Sequence, residues 1–190
     1  MRIFAPMTKI TVTPITGWDR AKKAALRTAG LKPKNSPDDS WKRRMLLCEH
    51  SPIRLLEFDI EIEGIKQWIS VHLVRHFMGF IPFVHSQRDD RRKLDCSRDE
   101  LPQGSLNDMM ISANAQALIN VSRKRLCRQA HPETRLTWYK VKEAIAEVDP
   151  IMAEKMVPEC LYRSFCPEQK CCGFVNTEAF QEQLKQYRQV

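Results

Sequence analysis

Glycine is scarce in this chain of 190 residues, which has six in all. The phosphate-binding loop of NTPases, the G-x-G-x-x-G turn of dinucleotide-binding folds and the G-x-S-x-G elbow of hydrolases each need glycine at fixed spacing, and none of them occurs. The five histidines also lack H-E-x-x-H or a comparable metal-binding spacing. These absences argue against the common NTPase, Rossmann, hydrolase and metalloenzyme classes.

Long apolar runs are missing as well. No segment approaches the roughly 20 residues that span a bilayer, and the first residues, MRIFAPMTKITVTP, lack the apolar stretch of a secretory signal. We therefore expect no membrane partner and a cytoplasmic location. The short chain with a tail extension would also suit a viral or mobile-element origin.

The seven cysteines form no disulfide framework. Their number is odd and their spacing irregular, so we expect reduced thiols, most of them small buried side chains. A cluster near the C-terminus leaves a zinc site as a second possibility: Cys160, Cys166, Cys171 and Cys172. Structural zinc sites usually have paired C-x2–4-C knuckles, which this cluster lacks, and we therefore predict no metal.

Composition and charge describe a folded, basic protein. The chain is 43% hydrophobic and 28% charged, unlike the apolar-poor composition of disordered segments. Its length suits one domain over residues 1–190, and we expect a Cys-rich C-terminal extension at about 158–190. The formal charge of +8 favours an anionic partner, whether nucleic acid, nucleotide or phosphorylated cofactor.

Hydrophobic periodicity predicts an α+β fold, a helix-rich single domain with a small sheet. Residues 7–15 are rich in Ile, Val and Thr, which is typical of a strand. In the clearest strand, Phe58, Ile60 and Ile62 alternate with acidic residues and should face the core. Residues 79–84 are expected to form a loop or a short irregular segment.

Helical spacing accounts for most of the remaining chain. The predicted helices run from Thr16 or Asp19 to near Gly30, from an N-cap at Ser36 to Cys48, over 65–78, over about 106–129, over 133–148, and through a short and a final helix beyond Pro150. The third of these would deliver Arg75 and His76 at its C-terminal end.

Three polar constellations could carry chemistry. In the first, Arg75 and His76 end a predicted helix, and Ser86, Gln87 and Arg88 begin eleven residues after Arg75. Arginine offers a rigid fork that binds phosphate through two N–H groups, and serine and backbone N–H groups complete such a cradle. A solvated basic loop is the alternative interpretation of the same residues.

The second constellation is the charged turn at 98–102, which by itself is typical of protein surface. The third is a helical stripe, because Asn114 and Arg125 are eleven residues apart, which at about 100° per residue is within roughly 20° of whole turns. Both would share this stripe with Leu118 and Val121, which suggests a buried or ligand-facing surface. A solvent-facing stripe stays open for three other basic residues: Arg123, Lys124 and Arg128.

Taken together and in this order, the constellations resemble the flavin-dependent thymidylate synthases. That family has an R-H-R-x-x-S run leading to S-x-R-Y, and the segments 75–76 and 86–88 are similar to its two ends. The family's R-x-x-L-P element resembles residues 98–102, and its N-A-R-x-L-x-N and R-x4-A-x-x-E patterns resemble residues 114–133. Upstream, Glu49-His50-Ser51-Pro52 is similar to an H-x-S/T-P segment.

The resemblance covers about residues 45–135 and has clear departures. Phe77 stands where the family has the third residue of R-H-R, and Asp89 stands where it has the tyrosine of S-x-R-Y. The stretch between Arg88 and Arg98 is also shorter than in typical members. These departures affect the expected handling of folate more than the fold.

The resemblance implies a fold with a mainly antiparallel sheet, and it implies the residues of a site. FAD contacts are implied for Ser51, Arg75, His76, Asn114, Gln116 and Asn120. Contacts with dUMP are implied for His72, Arg75, Ser86, Gln87, Arg88, Arg98 and Arg125. Arg125 would be the catalytic residue, because a guanidinium can stabilise negative charge on the activated uracil ring.

The implied activity is the conversion of dUMP to dTMP. In the family, FAD relays the methylene group of methylenetetrahydrofolate to uracil C5, NADPH reduces the flavin, and the site is assembled between subunits of a homotetramer. The cofactor then supplies the difficult chemistry and the protein positions it.

Two alternatives remain at this point. The same fold and flavin could support a different C5 modification of a pyrimidine nucleotide, such as hydroxymethylation. A protein of another class, a basic nucleic-acid-binding module, could instead place Arg88, Arg91, Arg92 and Lys93 on phosphates. The nucleic-acid interpretation leaves Asn114, Asn120 and Arg125 without a shared purpose, and we favour the enzyme.

Overall fold

A computed structural model describes residues 8–91 and 96–190 of the chain. The strands are β1 (Lys9–Pro14), β2 (Glu57–Lys66), β3 (Phe80–Val84) and β4 (Leu106–Asn114). The helices are α1 (Trp18–Thr28), α2 (Asp39–Leu47), α3 (Gln67–Leu73), α4 (Ala115–Arg125), α5 (Pro132–Val148), α6 (Pro150–Lys155), α7 (Glu159–Arg163) and α8 (Glu178–Tyr187). The predicted helix-rich α+β fold is confirmed.

The four strands form one antiparallel sheet in the order β1-β2-β4-β3. The alternation predicted for β2 is confirmed, because Phe58, Ile60 and Ile62 are buried while the acidic residues between them are not. Helix α5 packs across this buried face and inserts Trp138, whose indole N–H donates to Ser122 Oγ at 2.9 Å. The core therefore lies between the sheet and the helices.

Two predictions about the sheet are wrong. Residues 80–84 form the edge strand β3 rather than a loop, and Pro82 is tolerated there because an edge strand has N–H groups that need no partner. Residues 106–114 form β4 rather than the first half of a helix, with Asn107, Met109, Ile111 and Ala113 buried at every second position. Pairing with β2 and β3 on both sides overrides the helical propensity of this segment.

The predicted helix over 65–78 is also shorter than expected. Strand β2 continues through a bulge at Gly64, where φ is +70°, so α3 begins only at Gln67 and ends at Leu73. Arg75 and His76 consequently lie beyond the helix, in a turn. The N-cap of α2 is Asp38 rather than Ser36, since Asp38 Oδ1 accepts from the backbone N–H of Trp41 at 2.7 Å.

The C-terminal part of the chain has a hydrophobic cluster of its own. This cluster is formed by Val157, Leu161, Phe174, Phe180, Leu184 and Tyr187. The fully buried Lys155 joins α6 to the end of α8, because its Nζ donates to the carbonyl oxygens of Tyr187 at 2.6 Å and Gln189 at 3.1 Å.

The cysteines do not follow the expectation of burial. Cys48, Cys171 and Cys172 are exposed, and the other four are half-buried. Within residues 8–91 and 96–190, no group of three or more His, Cys, Asp and Glu side chains is arranged to hold a metal ion. The same part of the chain contains no helix with the length and apolar character needed to cross a membrane.

Candidate active site

The turn after α3 meets the C-terminal end of α4 through three predicted site residues. Arg125, the last residue of α4, donates from Nε to His76 Nε2 at 3.0 Å and from Nη2 to the carbonyl oxygen of His72. His72 Nδ1 in turn lies 3.0 Å from the hydroxyl of Thr134 on α5. The structure therefore brings His72, His76 and Arg125 together, although they are up to 53 residues apart in sequence.

The electrostatics of this junction keep both histidines neutral. Burial, followed by the charge of Arg125, lowers the pKa of His76 from 6.5 to about 4. Burial and the charge of Arg125 also lower the pKa of His72. Since an arginine can only donate, His76 Nε2 must accept from Arg125, and the remaining ring proton of His76 is on Nδ1.

Positive charge at the junction is not compensated by carboxylates. Burial and the nearby charge of Arg75 lower the pKa of Arg125. Among the residues that the structure describes, neither arginine has an ion pair, and Arg125 Nη1 has no hydrogen-bond partner. Two guanidinium groups whose charges influence each other, and which have no ion pair within residues 8–91 and 96–190, favour an anionic ligand.

At the other end of α4, Asn114 and Gly79 are in close contact. Asn114 is the N-cap of α4, and its Oδ1 accepts from the N–H of Ala117 at 2.9 Å. Gly79 has a φ of +68°, and a Cβ at this position would lie 2.4 Å from Asn114 Nδ2. Only glycine therefore allows the chain to pass the Asn114 amide here.

Gln116 and Asn120 project from α4 toward the end of α2. Gln116 donates to the carboxylate of Glu49, which also accepts from Arg123, and Arg123 Nη1 donates to Asn120 Oδ1 at 3.2 Å. The solvent-facing interpretation of Arg123 is wrong, since its side chain is only 12% exposed and its guanidinium stacks 3.5 Å from the ring centroid of Tyr162. Lys124 and Arg128 are exposed, as that interpretation expected.

The loop after β3 holds the predicted phosphate-binding residues in a separate place. Arg88 pairs with Asp90 at 2.9 Å and its backbone N–H donates to Ser86 Oγ at 3.3 Å, while the N–H of Arg98 donates to Asp89 at 2.9 Å. Gln87 is half-buried in this loop. Within the described parts of the chain, no hydrogen bond joins Arg88 or Arg98 to the junction of His72, His76 and Arg125.

Ser51 and Arg75 are both exposed. Ser51 opens a 3₁₀ helix, Ser51–Leu55, that packs against α4. For the alternative nucleic-acid interpretation, Arg91 is exposed beside Arg88, and Arg92 and Lys93 lie outside the described residues. Within the described residues, the expected side chains thus form two groups that no hydrogen bond joins.

A cavity of about 1390 Å³ lies apart from both groups. It is enclosed by α5, α6 and the C-terminal extension, with Tyr139, Lys142 and Cys160 among its walls. None of the predicted site residues lines it. The cavity is therefore not the predicted site.

Four residues that contact the candidate site residues were not predicted from the sequence: Glu49, Gly79, Thr134 and Tyr162. Gly79 carried a usable signal, because a glycine after a predicted helix end often adopts a positive φ. The other three act through long-range contacts, and nothing in their local sequence indicates a partner on α4 or α3.

Comparison with known proteins supports the family resemblance. A family model described as thymidylate synthase complementing protein matches residues 88–151. The match includes Arg98 and the pattern from Asn114 to Glu133, and it begins after Arg75 and His76. No curated protein sequence matches the chain.

Solved structures match the fold over most of the chain. Thymidylate synthase X from Helicobacter pylori, solved with FAD and dUMP, is 15% identical in sequence to this chain, with a TM-score of 0.60. The matched region covers 78% of this chain and 99% of the Helicobacter pylori chain. The UMP/dUMP methylase PolB from Streptomyces cacaoi, bound with 5-Br dUMP, is 16% identical in sequence to this chain, with a TM-score of 0.57. The matched region covers 83% of this chain and 96% of the PolB chain. The family model and the fold together confirm the resemblance to the flavin-dependent thymidylate synthases, including its antiparallel sheet.

Proposed function

We propose that the chain is a flavin-dependent thymidylate synthase that converts dUMP to dTMP with FAD, methylenetetrahydrofolate and NADPH. The observation that carries the proposal is the junction of His72, His76 and Arg125, beside Arg75 and without a compensating carboxylate among the described residues. The fold and family model support it, and the Helicobacter pylori protein of the same fold was solved with FAD and dUMP.

The residues present fit a flavin dinucleotide. Arg75 supplies positive charge for an anionic group of the cofactor, and Asn114, Gln116 and Asn120 supply amide groups along α4. Gly79 lets the backbone pass close to the Asn114 amide, because a Cβ there would lie 2.4 Å from Asn114 Nδ2. These residues and Ser51 would hold FAD, which supplies the redox and one-carbon transfer chemistry when it is bound.

The protein's own residues would bind and polarise the nucleotide. Arg88 and Ser86, together with Gln87 and Arg98, would hold the phosphate of dUMP through charge-assisted hydrogen bonds. Arg125 would place its unpartnered Nη1 against the uracil ring, where negative charge develops during activation. His76 would hold Arg125 in this orientation, because a neutral imidazole accepts from Nε without competing for the anion.

Separation of the two groups within one chain supports a site assembled between subunits. The exposed apolar side chains Phe77, Met78, Ile81 and Phe83 lie on the turn after α3 and on the edge strand β3, between His76 and Ser86 in sequence. Apolar side chains of this size are usually covered in an assembly. We therefore propose the homotetramer that the resemblance implies.

A second candidate activity is methylation of UMP as well as dUMP. It is favoured by the fold shared with PolB, which is described as a UMP/dUMP methylase. The fold likeness by itself does not choose between ribose and deoxyribose. The hydroxymethylation alternative keeps the same nucleotide site and differs only in the product.

The first test is flavin retention followed by product analysis. Purified protein is incubated with FAD, freed of excess, and titrated with dUMP while the flavin absorption is recorded; we expect bands that stay with the protein and shift. With dUMP, methylenetetrahydrofolate and NADPH, mass spectrometry should detect dTMP, and Arg125→Gln should lower its formation about a hundredfold. A parallel reaction with UMP is analysed for 5-methyl-UMP. Arg128→Gln, which removes the same charge from the exposed Arg128, should retain activity.

Each other outcome has a distinct meaning. A hydroxymethylated product would replace the proposed reaction with the C5 alternative, and methylation of UMP would favour the second candidate. A protein that never retains flavin and binds DNA or RNA in a salt-sensitive manner would overturn the enzyme in favour of the nucleic-acid-binding module.

A further inference from the structure

Four side chains form a closed polar ring on the exposed side of α4. Glu49, which follows α2, accepts from Gln116 and from Arg123, while Asn120 Oδ1 accepts from Arg123 Nη1 at 3.2 Å and from Gln116 Nε2 at 3.4 Å. Gln116 and Asn120 are the two residues of α4 proper that the resemblance assigns to the cofactor. Glu49 and Arg123 have no assigned role.

The chemistry of Glu49 and Arg123 determines how both amides are turned. A carboxylate can only accept, so Gln116 must direct its NH2 group at Glu49 and leave its Oε1 outward. A guanidinium can only donate, so Asn120 must direct its Oδ1 at Arg123 and leave its NH2 group outward. The exposed edge of the ring is therefore one hydrogen-bond acceptor on Gln116 and one donor group on Asn120.

Arg123 also compensates for a departure in the sequence. The family pattern N-A-R-x-L-x-N has arginine where this chain has Gln116. Arg123 lies seven residues later, about two turns along the same face of α4, and long helical side chains point back toward the N-terminus. Its guanidinium therefore reaches back to the level of Asn120 and restores a positive charge behind the two amides.

The ring is held from outside by two further features. Tyr162 on α7 stacks on the guanidinium of Arg123, so the C-terminal extension forms the back of the ring. Glu49 has a φ of +48°, a left-handed conformation that is unfavourable for a residue with a side chain. The contacts of its carboxylate with Gln116 and Arg123 offset this local strain and keep the side chain in place.

We propose that Glu49 and Arg123, backed by Tyr162, are positioning residues that preset the amides of Gln116 and Asn120 for the flavin cofactor. The inference rests on the proposed function, because it takes FAD to be the ligand of these amides. It gives the C-terminal extension, through Tyr162, a part in cofactor binding.

The test compares FAD affinity with stability in matched variants. We expect Glu49→Gln and Arg123→Gln each to raise the Kd for FAD about tenfold, because each frees one amide to turn away from its binding orientation. The affinity for dUMP at saturating FAD should stay within about twofold. Tyr162→Leu should weaken FAD binding by a smaller factor, whereas Phe165→Leu, at an exposed aromatic of the same extension, should have no effect.

A charge-swapped double variant, Glu49→Arg with Arg123→Glu, separates positioning from simple ion pairing. The swap keeps an ion pair and should restore the melting temperature lost in either single substitution. It should not restore FAD affinity, because both amides would now be turned the opposite way. A merely structural pair would instead recover stability and FAD affinity together.

The failures are distinguishable. Wild-type protein without FAD binding would overturn the proposed function itself, before any variant is measured. Wild-type binding that is unchanged in both Glu49→Gln and Arg123→Gln, or that recovers in the charge-swapped variant, would overturn only the positioning role.

Discussion

At the scale of single residues, the lowered pKa of His76 makes the stability of the protein depend on pH. Its folded-state pKa is about 4, while the unfolded chain takes up this proton near pH 6.5. Between these values the unfolded state binds more protons than the folded state, so the free energy of unfolding falls as the pH is lowered from about 6.5 to about 4. Well above pH 6.5, the contribution of His76 to the free energy of unfolding no longer changes with pH.

This behaviour predicts a measurable difference between the wild type and His76→Gln. Urea unfolding between pH 4 and 7 should show a shallower loss of stability in the variant, because glutamine does not titrate. Part of the slope should remain, since the pKa of His72 is lowered as well. An NMR titration in which the His76 ring protonates near its ordinary pKa would contradict the prediction.

At the scale of elements, the end of α8 depends on one buried cation. Lys155 on α6 has no exposed side-chain surface, and its ammonium group satisfies the carbonyl oxygens of Tyr187 and Gln189. These carbonyl groups belong to the last turn of α8 and the residues after it, which have no partner further along the helix. The extension is thus fastened at its far end by α6.

We predict that Lys155→Met destabilises the protein by about 2 kcal/mol, because methionine fills a similar volume but leaves the two carbonyl groups without a donor. Thermal or urea unfolding measures the loss, and limited proteolysis should cleave the C-terminal region faster. Lys185→Met, at an exposed position of α8, is the matched control and should change stability by less than about 0.5 kcal/mol. Equal stability of the two variants would show that solvent replaces the ammonium group.

At the scale of the whole molecule, the edge strand β3 and the preceding turn leave an apolar surface uncovered in the single chain. Phe77 is 79% exposed and Met78 is 77% exposed, and Ile81 and Phe83 project from the face of β3 opposite the buried Phe80. In sequence, this surface lies between Arg75-His76 and the proposed phosphate-binding residues Ser86–Arg88. Another copy of the chain would cover this surface in the proposed homotetramer.

We expect light scattering after size-exclusion chromatography to give four times the monomer mass of 22.2 kDa. Phe83→Glu should lower the mass and weaken FAD and dUMP binding together, because a carboxylate resists burial in an apolar interface. Leu31→Glu carries the same change at an exposed apolar position outside this surface and should remain tetrameric. A wild type that is monomeric and still forms dTMP would contradict the assembled site.

The helix-rich α+β fold, the core face of β2 and helix α5 were predictable because each depends on a local period that burial reinforces. The order of the motifs along the chain also indicated the resemblance to the family independently of the fold. The strands β3 and β4 were not predictable from local propensity. The proline-containing β3 is a strand through its pairing with β4, and β4, which directly precedes a helix, is a strand through its pairing with β2 and β3. The one-domain organisation with an extension at 158–190 stays a prediction.

The candidate site, like the fold, was predictable from the sequence only in part. The sequence by itself determined the residue types: arginines for an anion, amides at helical spacing, and a glycine before β3. Only the tertiary structure decided that Arg125 contacts His72 and His76, and that Arg123 turns inward to Glu49 and Tyr162 instead of facing solvent. The physical reason is that these partners, from Arg123 and Tyr162, which are 39 residues apart, to Arg123 and Glu49, which are 74 apart, are chosen by packing of α2, α3, α4 and α7. No local pattern encodes such packing.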